Sequence, residues 1–170
     1  MSDDRTMLRY TIATLAYRLE KVVREIPPGF ENFDAGSGVR SPLALLGHIG
    51  DLLEWGERMA DGEYRWLAVS GLGWSEQCER IFAALARMDA RLESGPPGKP
   101  VEMIFSGPIA DALTHCGQLS MLRRMAGSPV RAESYARASI TIGRVGMDQS
   151  SERVEFDGDA SAPKPPSAPR

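Results

Sequence analysis

The chain has two cysteines and two histidines among its 170 residues. Cys78 and Cys116 are too few and too far apart for a disulfide scaffold or a four-thiolate zinc site. Basic charge is not in excess either: 20 Lys+Arg against 23 Asp+Glu give a net charge of −3 and a pI near 5.5. A nucleic-acid partner would call for a basic stripe and a high pI, so none is expected. No apolar run approaches the roughly 18 residues of a membrane span, so no membrane partner is expected. The opening MSDDRTMLRY is acidic and lacks the apolar core of a signal peptide, which points to a soluble, cytoplasmic protein. There is no internal repeat, and Gly36-x-Gly38 follows no strand, so it reads as loop rather than as a nucleotide-binding motif.

What is present is the composition of an ordinary globule, 42% hydrophobic and 25% charged. A chain of this length buries roughly 68–70% of its unfolded surface and needs no covalent staples. Glycine and proline punctuate four apolar stripes with helical spacing. The first runs from Ser2 to Glu25 through Leu8, Ile12, Leu15, Leu19 and Val22, and Pro27-Pro28-Gly29 ends it. The second opens with Ser41 as N-cap and Pro42 at the first helical position, and closes at Asp61-Gly62. The third starts at a Ser75 cap and ends at Gly95. The fourth opens near Gly107-Pro108, carries Ile109 to Ala126, and stops at Gly127 as its C′ residue. Four helices of this length predict an all-α four-helix bundle over residues 1–130.

The connection from Asp61 to Trp74 is long for a bundle loop, so Tyr64, Trp66 and Leu67 are expected to pack there. Residues 131–157 form an extension packing on the bundle, in which Ala132 to Ile142 makes a short helix or lies extended. Residues 158–170 hold Pro163, Pro165, Pro166 and Pro169 with Ala and Ser, and predict a disordered Pro-rich tail.

Both histidines fall in the middle of predicted helices. Asp111 precedes His115 by four residues, so their side chains leave one helical face and can converge on one ion. Imidazole and carboxylate together suit a divalent first-row metal, and three protein ligands leave positions open for water or substrate. The plainer reading is a hydrogen-bonded Asp–His pair and a core histidine at His48. Gly47 and Gly50 flank His48 and Gly117 follows His115, each at about 0.8–1.0 kcal/mol relative to alanine in a helix interior. They signal space for a ligand, close backbone approach, or a tight helix crossing. Gln118 shares the Asp111–His115 face and can orient a ligand from outside the coordination sphere, and Asp51, near the face of His48, is either an outer-shell partner of the same kind or a solvated helical acid.

The segments Leu-Gly-His48-Ile-Gly-Asp-Leu-Leu-Glu-Trp55 and Asp111-Ala-Leu-Thr-His115-Cys-Gly-Gln118 resemble the DinB-like superfamily of bacterial proteins. The family pattern has one histidine on the second helix and a pair spaced by four on the last, the final one preceding x-Gly-Gln. This resemblance implies a four-helix bundle holding one divalent ion in its core, with His48, Asp111 and His115 as ligands. It departs from the family at Asp111, where histidine is usual. The resulting two-histidine, one-carboxylate set would take Zn, Ni, Fe or Mn. Relatives include transferases and isomerases that use low-molecular-weight thiols such as bacillithiol or mycothiol. The resemblance therefore implies thiol transfer to a small electrophilic substrate through a metal-activated thiolate. A metal-dependent hydrolase and a non-enzymatic metal- or ligand-binding or dimerising bundle are the alternatives. A homodimer is expected only because soluble oligomers commonly are dimers.

Other residues read as structural. Cys116 points about 100° round the helix from His115 and, like Cys78, is a small core residue rather than a nucleophile. Trp55, Tyr64, Trp66 and Trp74 line a pocket mouth or pack in the core. Arg123-Arg124 suit a helix C-terminus or an anionic substrate. Arg131, Glu133 and Tyr135 are placed to fold back over the bundle end.

Overall fold

A computed structural model describes residues 4–156. The apolar stripes become α1 (Asp4–Val23), α2 (Pro42–Ala60), α3 (Trp74–Ser94), a single turn α4 (Val101–Ile104) and α5 (Ala110–Met125). A π-helical turn, Phe105–Ile109, joins α4 to α5 without a break. The chain is all-α apart from a two-residue ladder of β1 (Ala132–Glu133) with β2 (Glu155–Phe156). α2 packs on α3 and α5, and α1 packs on the same two helices, which is the arrangement of a four-helix bundle. Ile12 and Leu15 of α1, Leu46 and Leu53 of α2, Leu85 of α3 and Leu119 of α5 are fully buried between them.

Helix ends show where local chemistry decided and where it did not. At α2 the Ser41 hydroxyl accepts from the Ala44 N–H at 3.3 Å and Pro42 takes the first position, as expected. α3 is capped two residues earlier than the expected Ser75. Gly73 occupies the cap position, its N–H donating to the Glu76 carboxylate at 2.7 Å, while the Ser75 hydroxyl turns to Glu79. α1 stops at Val23, and its last carbonyls are met from another helix. The Arg123 guanidinium of α5 donates to the carbonyls of Val22 (3.0 Å), Arg24 (2.7 Å) and Glu25 (3.3 Å). Arg123 is thus a buried C-terminal cap for α1 and is not presented to a substrate.

The largest correction concerns the last helix. It opens at Val101, directly after Pro100, and not at Gly107-Pro108. Pro108 has no N–H to donate, and its ring crowds the carbonyl one turn back. The widened turn accommodates it, with the Ala110 N–H reaching back to the Phe105 carbonyl. Pro108 then lies against Gly56 of α2, where a Cβ would stand 3.2 Å from its ring, and Gly107 faces the Trp55 ring.

The chain divides into two compact units. The first is the bundle together with Ile140–Gln149, a part of the extension expected after residue 130. Val145 is buried in this unit. Among the described residues the second comprises Arg131–Ser139 and the stretch from Ser150 to Phe156, and is organised by the ladder. Ala132 to Ile142 is not a helix. Within the second unit Arg131 pairs with Glu155 at 3.4 Å, and the Glu133 carboxylate accepts from the Val154 N–H. The tail expected at 158–170 lies outside the described residues, as do Ser2 and Asp3.

The Gly95–Pro100 connection is docked on the end of α2. The Gly98 N–H donates to the Ala60 carbonyl at 2.8 Å, and its Cα lies against the backbone of Gly62. A Cβ at Gly98 would overlap that backbone, which cannot yield as a side chain can. Gly98→Ala is therefore expected to destabilise by about 1–3 kcal/mol. At roughly 2–4 °C per kcal/mol, thermal unfolding will show it as a lowered Tm. Gly95→Ala, with open space at its Cβ, serves as the near-neutral control.

Candidate metal centre

α2 carries His48 and α5 carries Asp111 and His115, and their packing brings all three together. One ligand atom from each lies within 4.8 Å of the other two. Asp111 bridges the imidazoles: Oδ1 is 3.3 Å from His115 Nε2, and Oδ2 is 3.9 Å from His48 Nε2. The ring centroids are 4.9 Å apart and nearly perpendicular.

Gln118 reaches His115 along their shared helical face. Its Oε1 lies 2.8 Å from His115 Nδ1. An amide oxygen only accepts, so Nδ1 carries the proton and Nε2 is left with its lone pair. That lone pair faces a carboxylate oxygen. At His48, burial, followed by the charges of His115 and Arg40, draws the pKa below the ordinary imidazole value. Its neutral form is the form that ligates. The donor set therefore fits a divalent ion, with His48, Asp111 and His115 as the residues that would hold it.

The group does not sit in the bundle core as the resemblance implied. The Asp111 side chain is 46% exposed, and the two imidazoles are half-buried. Trp66 covers His48 from the loop after α2, with ring centroids 5.8 Å apart, and it stands edge-on to Trp55, which also meets Tyr64. Of the loop residues expected to pack, Tyr64 and Trp66 make these ring contacts, yet Tyr64, Trp66 and Leu67 all remain exposed. Trp74 belongs elsewhere, edge-on to Phe30 at 5.7 Å.

Asp51 is directed away from the histidine. Its Oδ1 accepts from Arg80 Nη2 at 2.5 Å and from the Val69 N–H at 3.0 Å. Its charge still favours the protonated form of His48, but as the smallest of the contributions. Arg80, a residue the sequence did not single out, reaches from α3 and also forks onto Glu54 at 2.8 and 3.0 Å. This explains two of the glycines: a Cβ at Gly50 would stand 2.8 Å from Arg80 Nη1, and one at Gly47 would stand 3.2 Å from Gln77 Nε2. They admit polar side chains from α3 beneath the site rather than leaving room for a ligand. Gly117, by contrast, faces open space.

Room for a ligand lies on the other side. A cavity of about 570 Å³ opens onto His48, His115 and Gln118, with Val39 and Arg40 on one wall and Met121 and Met125 on another. The only hint of this wall in the sequence was the loop before Ser41, which has no spacing rule. The cysteines take no part. Burial pushes both thiols up to about 12, so neither is a thiolate at neutral pH.

Two tests follow from these contacts. The Glu54 carboxyl is held below its ordinary 4.5, chiefly by its hydrogen bonds from Arg80. A depressed carboxyl pKa stabilises the fold above the unfolded value and loses that contribution as pH falls through the folded one. Arg80→Met should lower stability at pH 7 by about 3–5 kcal/mol. The gap from wild type should narrow below about pH 4 in urea titrations taken across the acid range. In the native protein at pH 8, iodoacetamide should modify neither Cys78 nor Cys116, whereas mass spectrometry should find both alkylated after denaturation.

Comparison of the chain with protein-family models, with curated proteins and with solved structures returned no match, so the geometry of His48, Asp111 and His115 is what defines this centre.

Proposed function

We propose that the protein binds one divalent metal ion through His48, Asp111 and His115 and catalyses transfer of a low-molecular-weight thiol to a small electrophile. One observation carries this reading: three donor atoms within 4.8 Å of one another, on two packed helices, with the two histidines lining a cavity. Three protein ligands leave coordination positions open, the arrangement of catalytic rather than structural sites. A bound ion supplies Lewis acidity, which makes a thiol or a water nucleophilic at neutral pH. The residues supply the rest. Gln118 fixes the tautomer and ring plane of His115, and the packing of Trp66 restrains His48. The cavity, lined largely by apolar side chains, has the volume of an organic substrate. That lining suits the apolar body of an organic electrophile, which is why transfer to such a molecule is preferred here to hydrolysis.

The test begins with metal content, measured by mass spectrometry on protein purified without a polyhistidine tag. After exposure to zinc, nickel, iron and manganese in turn, wild type should retain about one ion per chain. The His48→Ala, His115→Ala double variant should retain none at an unchanged circular dichroism spectrum. Gln118→Leu should weaken binding about 10–100-fold, the usual consequence of losing a partner that orients a ligand. Conjugation of cysteine to 1-chloro-2,4-dinitrobenzene, accelerated by the loaded wild type only, would then support transfer. Hydrolysis of p-nitrophenyl acetate without conjugation would assign the site to water instead. Wild type free of metal under all four conditions would overturn the reading.

A further inference from the structure

We infer that the cavity beside the histidines is a binding site for a small organic anion with an apolar body, its charged end recognised by Arg40. This rests on the reading above insofar as the anion is the substrate of that centre, but its observations are independent of any metal. The cavity, about 570 Å³, lies within the roughly 300–1,000 Å³ of small-molecule sites. Its walls are apolar where they are exposed: Val39 is 51%, Met121 64% and Met125 54% accessible. Three large apolar side chains left in water around one concavity are the counterpart of an apolar ligand. Methionine, unbranched and polarisable, moulds itself to such a ligand.

Arg40 gives the ligand its charge and its direction. Of the residues lining the cavity, it alone carries a permanent charge, and it has no carboxylate partner among the described residues. Its field reaches His48. Arg80 and Arg123, by contrast, are committed, Arg80 to Asp51 and Glu54 and Arg123 to carbonyls. A guanidinium presents a planar fork of donors that matches a carboxylate or phosphate. Arg40 is the permanent charge on the cavity lining, and the imidazoles and Gln118 line it as well, so the charged group lies at Arg40 and the other end of the ligand points to the imidazoles.

Octanoate, with 1-octanol as its neutral match, tests this by isothermal titration calorimetry on the protein as purified and after EDTA treatment. Octanoate should bind more tightly than 1-octanol in both states. Arg40→Gln should weaken octanoate about tenfold or more, as for loss of a charged hydrogen bond, and leave 1-octanol unchanged. Arg40→Lys should recover part of the loss. Octanoate binding to wild type that persists after EDTA separates this site from the metal reading. Octanoate binding that ignores Arg40→Gln, that vanishes with EDTA, or that is no tighter than that of 1-octanol would overturn the inference, whatever the metal content.

Discussion

The centre exists because α2 and α5 are held in one register, and Pro108 sets that register. Its ring presses on α2 at Gly56, a contact so close that a Cβ at Gly56 would stand 3.2 Å from it. The same proline widens the helix to a π turn just before α5 begins. A turn widened by one residue moves the phase of everything after it by about 100°. Asp111 and His115 follow directly, so their common face is aimed at His48 by the turn that precedes them. Without it, the i,i+4 pair would still share a face, but not the face that α2 meets.

Around this contact the bundle places its long cations where helices need them. Arg123 of α5 satisfies the terminal carbonyls of α1, and Arg80 of α3 neutralises Asp51 and Glu54 of α2. Each joins elements distant in sequence, so each holds tertiary structure rather than a local turn. Gly47 and Gly50 carry the helix-propensity penalty that lets Gln77 and Arg80 lie beneath His48. The underside of the histidine is thereby a packed polar layer. Only its other side faces the cavity, which gives any ligand a single direction of approach.

Much of the architecture was legible because it rests on short-range rules. The apolar stripe of α2, with Ser41 and Pro42 before it, needs nothing beyond its own residues to be read as a helix. The Asp111–His115–Gln118 face follows from 3.6 residues per turn alone, and Gln118 stands where that period puts it. Asp51 was misread because it is three residues from His48 in sequence, yet a guanidinium from α3 and the Val69 N–H compete for it more strongly. The start of the last helix was misread because proline usually opens a helix, and here a contact with Gly56 makes an interior proline tolerable.

By itself, then, the sequence determined the all-α class, the placement of three helices and the pairing of carboxylate, imidazole and amide on one of them. Those follow from periodicity, capping and the chemistry of side chains one turn apart. Tertiary structure alone decided that His48 joins that pair, that the group lies half-exposed at a cavity rather than in the core, and that Arg40 stands on the cavity wall. The physical reason is range. Hydrogen bonds within a helix and apolar spacing act over a few residues, whereas a site shared by two helices depends on how their surfaces interlock, and no local pattern records that.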